Sequence, residues 1–320
     1  MDCDCSRSGV RGLANCGLSC CVNALLQSFA VTTELLELLN RWEPSNKFDD
    51  RNVPLQLKKA FEAMSRKQQS NPHLGLLNCL HRYNIHRYTQ HDADEVFHAI
   101  LTLIQEQVAD PDLAAKIKSL YKITVEGQIK CSVCENIHKV PTFFVSLPLH
   151  IPEHQNTLEN CFSSFFRFQD LEPGEAIYCD TCEQKTQSAQ GFKLDVLPSL
   201  LCIQLKRFRN RRGFIEKLNT KICFPEILKI ADVLAKENCS AEVLHGSYRL
   251  YGVIVHHGTA LFGHYSAFIY STDKWYYVDD SFVQWVNWEF IQKSYGGIQG
   301  DTAYMLFYRK CSSEMMNPQD

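Results

Sequence analysis

The sequence predicts an α+β protein in which helices come first along the chain and sheet follows. Three observations predict it. Up to about residue 120, apolar residues recur three and four apart, as on one helix face; from Tyr121 onward they alternate in segments rich in β-branched and aromatic residues. Two C-x-x-C pairs, Cys131-Ser132-Val133-Cys134 and Cys179-Asp180-Thr181-Cys182, fall within the β-rich part. The 320 residues, 45% hydrophobic and 22% charged, can bury a sizeable core as one large domain or two ordinary ones.

The first helix follows Gly12-Leu13-Ala14-Asn15-Cys16-Gly17-Leu18-Ser19-Cys20-Cys21, because Val22, Leu25, Leu26 and Phe29 share a face and the glycines punctuate what precedes. Cys20 therefore stands where loop becomes helix. The unpaired N–H groups there carry about half a positive charge and favour a thiolate, whereas a free thiol has a pKa of about 8.5. The same stretch fits Cys16, Cys20 and Cys21 as small buried hydrophobes, so partners elsewhere must decide. Glu34–Leu39 makes a short helix, and Pro54 opens another with Leu57, Phe61 and Met64 on one side. Gln90-His91-Asp92-Ala93-Asp94-Glu95 leads into Val96, Phe97, Ile100, Leu101 and Ile104, a third substantial helix. Asp92 suits its N-cap, and Asp94 and Glu95 suit its positive end.

Lys122–Lys130 alternates as a strand and runs into the first C-x-x-C pair. Each pair can present two thiolates to one tetrahedral ion, and two pairs in a β-rich chain without a disulfide-scaffold cysteine density predict structural Zn2+ on Cys131, Cys134, Cys179 and Cys182. Four sulfurs leave no open position for water. Residues 135–178 exceed a compact zinc loop, so something folded lies between; Leu158, Cys161, Phe162 and Phe165 mark a helix there. Leu200–Phe208 and Ser247–His256 read as core strands, 266–270 with 274–278 as a hairpin, and Ala303–Tyr308 as the last strand. The run Arg207-Phe208-Arg209-Asn210-Arg211-Arg212 before Gly213 reads as a hairpin tip.

A net charge of -3 gives no electrostatic reason to expect nucleic acid or membrane as partner. The N-terminal residues lack the apolar core of a secretory signal, and no run of about 18 apolar residues follows, so no membrane insertion and a cytoplasmic or nuclear location are expected. A thiol nucleophile needs a base, and the base needs a third group to orient it; Cys20, His264 and Asp279 are the candidates.

These residues sit in strings that occur in one order: Gly-Leu-x-Asn-x-Gly-x-Ser-Cys at 12–20, Gln-x-Asp-Ala-x-Glu at 90–95, the two C-x-x-C pairs, Gln204-Leu205-Lys206-Arg207-Phe208, Gly263-His264-Tyr265, Trp275-Tyr276-Tyr277-Val278-Asp279-Asp280-Ser281 and Ala303–Tyr308. In this the chain resembles the ubiquitin-specific protease family of papain-like cysteine proteases from about Gly12 to Tyr308. The resemblance implies a hand: a helical thumb (about 12–120), β fingers with a zinc ribbon (about 121–195, with returning palm segments) and a mixed-sheet palm (about 196–310). Together these form one catalytic domain over 12–310, with flexible ends at 1–11 and 311–320. It implies a monomeric isopeptidase without organic cofactor, which cuts a ubiquitin-like modifier from substrate lysines at its C-terminal Gly-Gly. Cys20 attacks, His264 is base and then acid, Asp279 orients His264, and Asp280 assists or substitutes. Asn15 holds the oxyanion, Asp92 and Glu95 meet the modifier's arginine-bearing tail, and Gly263 and Tyr265 wall the glycine channel. The Asn15–Cys21 segment and the short chain resemble the family's interferon-induced branch, which acts on the interferon-stimulated modifier and has partners in interferon signalling.

The chain departs from the family pattern at Leu18, Ser19 and Cys21, where Asn, Thr and an aromatic are usual. Leu18 removes an amide near the oxyanion. Two other readings stay open: a general deubiquitinase, and a zinc-scaffolded modifier-binding or adaptor protein.

Overall fold

A computed structural model describes residues 10–66, 70–152, 157–172, 174–211, 213–297 and 300–311. Six helices come first: α1 (Cys20–Ala30), α2 (Thr33–Arg41), α3 (Val53–Ser65), α4 (Leu74–His81), α5 (Ala93–Gln107) and α6 (Pro111–Tyr121). Their starts follow local chemistry. Asn52, Asp92 and Asp110 each accept backbone N–H bonds as N-caps, and Pro54 and Pro111 occupy first-turn positions where a missing N–H costs nothing. Helices α4 and α6 carry no signal singled out above; α4 is short, and its buried Leu76, Leu77 and Leu80 read as any apolar run.

The chain then turns to strands: β1 (Ile123–Cys131), β2 (Ile137–Phe144), β3 (Leu147–Leu149), the expected intervening helix α7 (Leu158–Phe166), β4 (Gln169–Asp170), β5 (Ile177–Cys179), β6 (Gln184–Thr186) and β7 (Ser188–Val196). After these come β8 (Leu200–Leu205), the hairpin β9 (Phe208–Arg211) and β10 (Phe214–Lys217), β11 (Ile227–Lys229), β12 (Ser247–Gly258), β13 (Gly263–Ser271), β14 (Lys274–Asp279), β15 (Phe282–Val286) and β16 (Thr302–Lys310). One sheet has the order β2-β1-β7-β4 and carries the first cysteine pair at its β1–β2 turn, and the separate two-stranded β5–β6 hairpin carries the second. The central sheet runs β15-β14-β13-β12-β16-β8-β3, with β11 also on β12 and β3 parallel to β8.

Both faces of the middle strands of the central sheet are buried. On β8, Leu200 and Cys202 pack with the helices, while Leu201, Ile203 and Leu205 pack with α7. On β16, Tyr304 and Phe307 face the helices, and Ala303, Leu306 and Tyr308 face the other way. Bulges beside Tyr251 and Ile254 shift this alternation, which lets Ile254 and Met305 join the helical side. Helix α1 wedges into the helical side and is buried from Cys20 to Phe29.

Arg207 does not belong to the exposed tip. It is 0% exposed, and its guanidinium donates to the carbonyls of Ala303, Leu218, Thr220 and Tyr295. Burial pulls it down to about 10, still cationic at neutral pH. A planar fork that satisfies four inward-facing carbonyls fastens the β9–β10 hairpin to the end of the sheet. At the chain ends, residues 1–9 and 312–320 lie outside the described residues. Arg11 donates to the carbonyls of Ala63 and Arg66, and the Cys311 N–H to Ser247.

Arg207→Met keeps the bulk and removes the guanidinium donors to Ala303, Leu218 and Thr220, at roughly 1–3 kcal/mol apiece, while the Tyr295 carbonyl keeps the Ile222 N–H. Chemical denaturation should show a loss of at least about 3 kcal/mol. A loss under about 1 kcal/mol would mean that these carbonyls find other partners.

Candidate active site and zinc ribbon

Helix α1 begins at Cys20, as the periodicity requires, and Cys20 is 7% exposed at the floor of a cleft. Leu18, Cys20, Cys21, Gln90, Asp92, Phe208, His256, Gly263 and Tyr265 line that cleft. The loop ahead of the helix is held from several sides. The Leu13 N–H donates to the Asp280 carbonyl, the buried His73 ring meets the Ala14 carbonyl at 3.0 Å, and the Leu18 N–H donates to the Arg87 carbonyl at 2.6 Å. Gly12 permits the approach, because a Cβ there would lie 2.2 Å from the Ser281 carbonyl oxygen.

His264 stands at the start of β13, next to the strand end that carries Asp279. Its Nε2 lies 2.5 Å from Asp279 Oδ1, and the ring is close enough to the Cys20 side chain for the two to interact. These contacts, the one to Asp279 foremost, raise His264 to about 10, and the Asp279 carboxyl is lowered by the same hydrogen bond. An imidazolium is thus favoured beside the sulfur. The structure places Cys20, His264 and Asp279 side by side.

Asp280 has other partners. Its carboxylate accepts from Asn15 Nδ2 at 2.9 Å and from Asn23 Nδ2 at 2.7 Å, so it binds the thiol loop rather than the histidine ring. Asn15 is correspondingly engaged on both ends of its amide. Its Oδ1 accepts the Ser19 N–H at 3.1 Å, and its NH2 has one hydrogen on Asp280 and a second to offer. Asp92 caps α5 through Oδ1 on the N–H groups of Asp94 and Glu95, while Oδ2 accepts the Tyr304 hydroxyl at 2.5 Å. It lines the cleft with both oxygens already engaged. Glu95 is exposed one turn further on and does not line the cleft.

Gly263 and Tyr265 do line it. The Gly263 carbonyl accepts from Gln90 Nε2 at 3.1 Å, a bond across the cleft. A Cβ at Gly263 would fall 2.1 Å from His256 Nε2, so this glycine makes room for a ring beneath it. The sequence reading missed His256. It is 4% exposed, is lowered to about 3 by burial first and cationic neighbours second, and its Nδ1 has no partner. It also missed Asn23, although a legible signal exists: Asn23 and Gln27 stand four apart on a helix buried all round, so both need polar partners inside. Asn23 finds Asp280, and Gln27 donates to the Arg11 carbonyl at 2.5 Å.

The four cysteines of the two C-x-x-C pairs also converge, their sulfurs all within 4.8 Å of one another. Cys131 and Cys182 are 3.9 Å apart, Cys134 and Cys179 3.6 Å. A tetrahedron of sulfurs at the usual zinc distance has edges of about 3.8 Å, so the set fits Zn2+ without rearrangement. Each knuckle ends on a residue in the left-handed region, Glu135 and Glu183, with φ of 59° and 53°. The Thr186 hydroxyl lies 3.2 Å from the Cys131 sulfur and the Val133 N–H donates to it; hydrogen bonding of this kind, with Cys134 foremost, lowers Cys131 to about 6 and prepares a thiolate. The ion would join the β1–β2 turn to the β5–β6 hairpin.

A cleft with a helix-start thiol beside a histidine–carboxylate pair, carried on a mixed sheet with a four-cysteine ribbon, defines a papain-like thiol hydrolase. The model for the family described as Ubiquitin carboxyl-terminal hydrolase matches residues 11–308, and the chain belongs to that family of enzymes that deconjugate ubiquitin or ubiquitin-like modifiers. It is 33% identical to Ubl carboxyl-terminal hydrolase 18 of Homo sapiens over 318 residues, covering 94% of this chain and 85% of that protein. The identity is 34% to Ubl carboxyl-terminal hydrolase 18 of Mus musculus over 324 residues, covering 96% and 88%. Among solved structures, a SAGA DUB module bound to monoubiquitin superimposes with a TM-score of 0.79 at 26% identity, covering 96% of this chain and 70% of that one.

Chelation should expose the ribbon, since metal binding and folding are coupled at such sites. Elemental analysis is expected to return one zinc per chain, lost on Cys134→Ser. Active protein devoid of zinc would remove the ion from the account.

Proposed function

We propose that the protein is a cysteine isopeptidase that removes a ubiquitin-like modifier from substrate lysines, with the interferon-stimulated modifier as its substrate and Cys20, His264 and Asp279 as its catalytic residues. The observation that carries the reading is the 2.5 Å hydrogen bond from His264 to Asp279 beside Cys20, where thiol and carboxylate together favour the charged His264 ring. The thiolate of Cys20 attacks the carbonyl of the modifier's terminal glycine. His264, held by Asp279, passes its proton to the departing lysine amine, and then takes one from the water that hydrolyses the thioester. Asn15 offers its second amide hydrogen to the tetrahedral oxyanion, with the backbone N–H groups at the start of α1. With Leu18 in place of a further amide, that donor carries more of the load.

The modifier assignment rests on relatives. Identity is 33–34% to proteins called Ubl carboxyl-terminal hydrolase 18, against 28% or less to the Ubiquitin carboxyl-terminal hydrolases 47 and 48. The presence of monoubiquitin in the solved SAGA relative supports ubiquitin as the competing substrate. Action in cytoplasm or nucleus, and contacts with interferon-signalling proteins, extend the same proposal.

Matched C-terminal fluorogenic derivatives of ubiquitin and of the interferon-stimulated modifier separate the two substrates. Faster turnover of the latter is expected, with no turnover by Cys20→Ala; faster turnover of ubiquitin would replace the substrate and keep the chemistry. For Asn15→Ala the expectation is a kcat lower by about 100- to 1000-fold with KM little changed, the usual result of losing one oxyanion donor. Near-parental kcat would take Asn15 out of the oxyanion site.

A further inference from the structure

Past the end of α4 the chain turns back and brings two histidine rings together, far from the cysteine ribbon. The Ile85 N–H reaches back to the Leu80 carbonyl at 3.1 Å, and between them Asn84 takes φ of 65°, the left-handed residue of a Schellman helix end. Leu80 and Ile85 are both buried, which anchors the turn from beneath. His81, the last residue of α4, and His86 lie on either side of that turn. Nδ1 of one ring is 3.1 Å from Nδ1 of the other, with ring centroids 4.5 Å apart. The His86 backbone is held too: its carbonyl accepts the Thr89 N–H, and His91 Nε2 lies 2.8 Å from it. His81 is exposed and His86 half-buried, so an ion can reach the pair from solvent.

We propose that His81 and His86 form a second metal site, which takes a borderline divalent ion such as Zn2+ on the two Nδ1 atoms, with water completing the coordination. Two imidazole nitrogens on one tetrahedral Zn2+ at about 2.05 Å stand about 3.3 Å apart, so the rings are within a few tenths of an ångström of the ligating position. The turn fixes them there when the chain folds, which lowers the ordering cost of binding. Imidazole suits Zn2+, Cu2+ and Ni2+, whereas Mg2+ and Ca2+ prefer oxygen. Two guanidinium groups flank the histidines in sequence, and both are engaged elsewhere: Arg82 pairs with Asp50 at 2.8 Å, and Arg87 lies 4.9 Å over the Tyr88 ring. With two protein ligands against the four of the ribbon, the ion exchanges with solution.

The site bears on the thiol loop through the backbone. Arg87 follows His86, and its carbonyl accepts the Leu18 N–H at 2.6 Å. Gly17 lies so close to the same oxygen that a Cβ there would be 2.5 Å from it. The loop ahead of Cys20 therefore rests on the residue next to His86. An ion shared by His81 and His86 ties that support to the end of α4 and restrains residues 82–91, because a ligand favours the arrangement that binds it.

The test uses the protein with its ribbon zinc in place and Cys20 alkylated, so that the catalytic thiol cannot take the ion. Equilibrium dialysis against Zn2+ should add one equivalent per chain to that of the ribbon. His81→Ala and His86→Ala should each weaken this added equivalent by more than about tenfold, since even the loss of an outer-shell partner costs a metal site that much. Their retained ribbon zinc shows that the fold is intact. Amide hydrogen exchange over residues 82–91 should slow with Zn2+ in the parent and not in either variant. No added equivalent in the parent overturns the site and leaves the two rings sharing a plain N–H···N bond. An added equivalent that survives His81→Ala and His86→Ala but is lost in His264→Ala belongs to the catalytic centre and overturns it equally. Binding at His81 and His86 without slower exchange overturns the restraint on the loop.

Discussion

The arrangement depends on one carboxylate that does no chemistry in the proposed reaction. Asp280 accepts from Asn15 on the loop and from Asn23 on α1, two residues that flank the thiol. Cys20 belongs to the helical half and His264 to the sheet, and neither is of use unless the halves keep their register to within a few tenths of an ångström. A hydrophobic contact, being non-directional, sets proximity but not register. Two charge-assisted amide bonds on one carboxylate, together with the Leu13 N–H on the same residue's carbonyl, set both distance and direction.

The opposite wall of the cleft is fixed by cations on carbonyls. Arg207 satisfies four of them, and Lys217 satisfies those of His256, Gly258 and Gly300. The carbonyls of Tyr295 and His256 also accept from the Ile222 N–H and the Thr302 hydroxyl, so the two cations add ties between separate segments at the end of the sheet. The desolvation needed to bring an ammonium there lowers Lys217 to about 8. The β9–β10 hairpin is thus attached to the palm by polar contacts that resist sliding, and its Phe208 and Ile215 form part of the cleft lining.

Much of this was legible in the sequence, because the signals were local or repeated. Periodicity located α1 and α5, Asp92 announced a cap, and the doubled C-x-x-C motif announced the ribbon. Arg207 misled because charge in a basic run reads as exposure, and nothing local reports that four carbonyls from 218 to 303 surround it. His256 was hidden for a similar reason: it looks like any strand histidine until Gly263, across the hairpin, proves to have no room for a side chain. Asn15 and its partner Asp280 lie 265 positions apart, a separation over which only the fold, not the pattern, can act.

The two adjacent aspartates illustrate how backbone geometry divides roles that chemistry leaves equal. Asp279 is the last residue of β14 and pairs with Phe282 across a two-residue turn. Side chains on a strand alternate, so Asp279 shares a face with Tyr277, whose phenol reaches it, and that face holds His264. Asp280 enters the turn with φ of 48°, in the left-handed region, where the chain reverses and its carboxylate swings toward α1. An Asp280 carboxylate oxygen lies within 4.8 Å of a His264 ring nitrogen, but for Asp280 to take the place of Asp279 there it would have to abandon Asn15 and Asn23. The release of the thiol loop would then undo the alignment that the substitution was meant to restore, so a second carboxylate one residue away gives the site anchorage rather than redundancy.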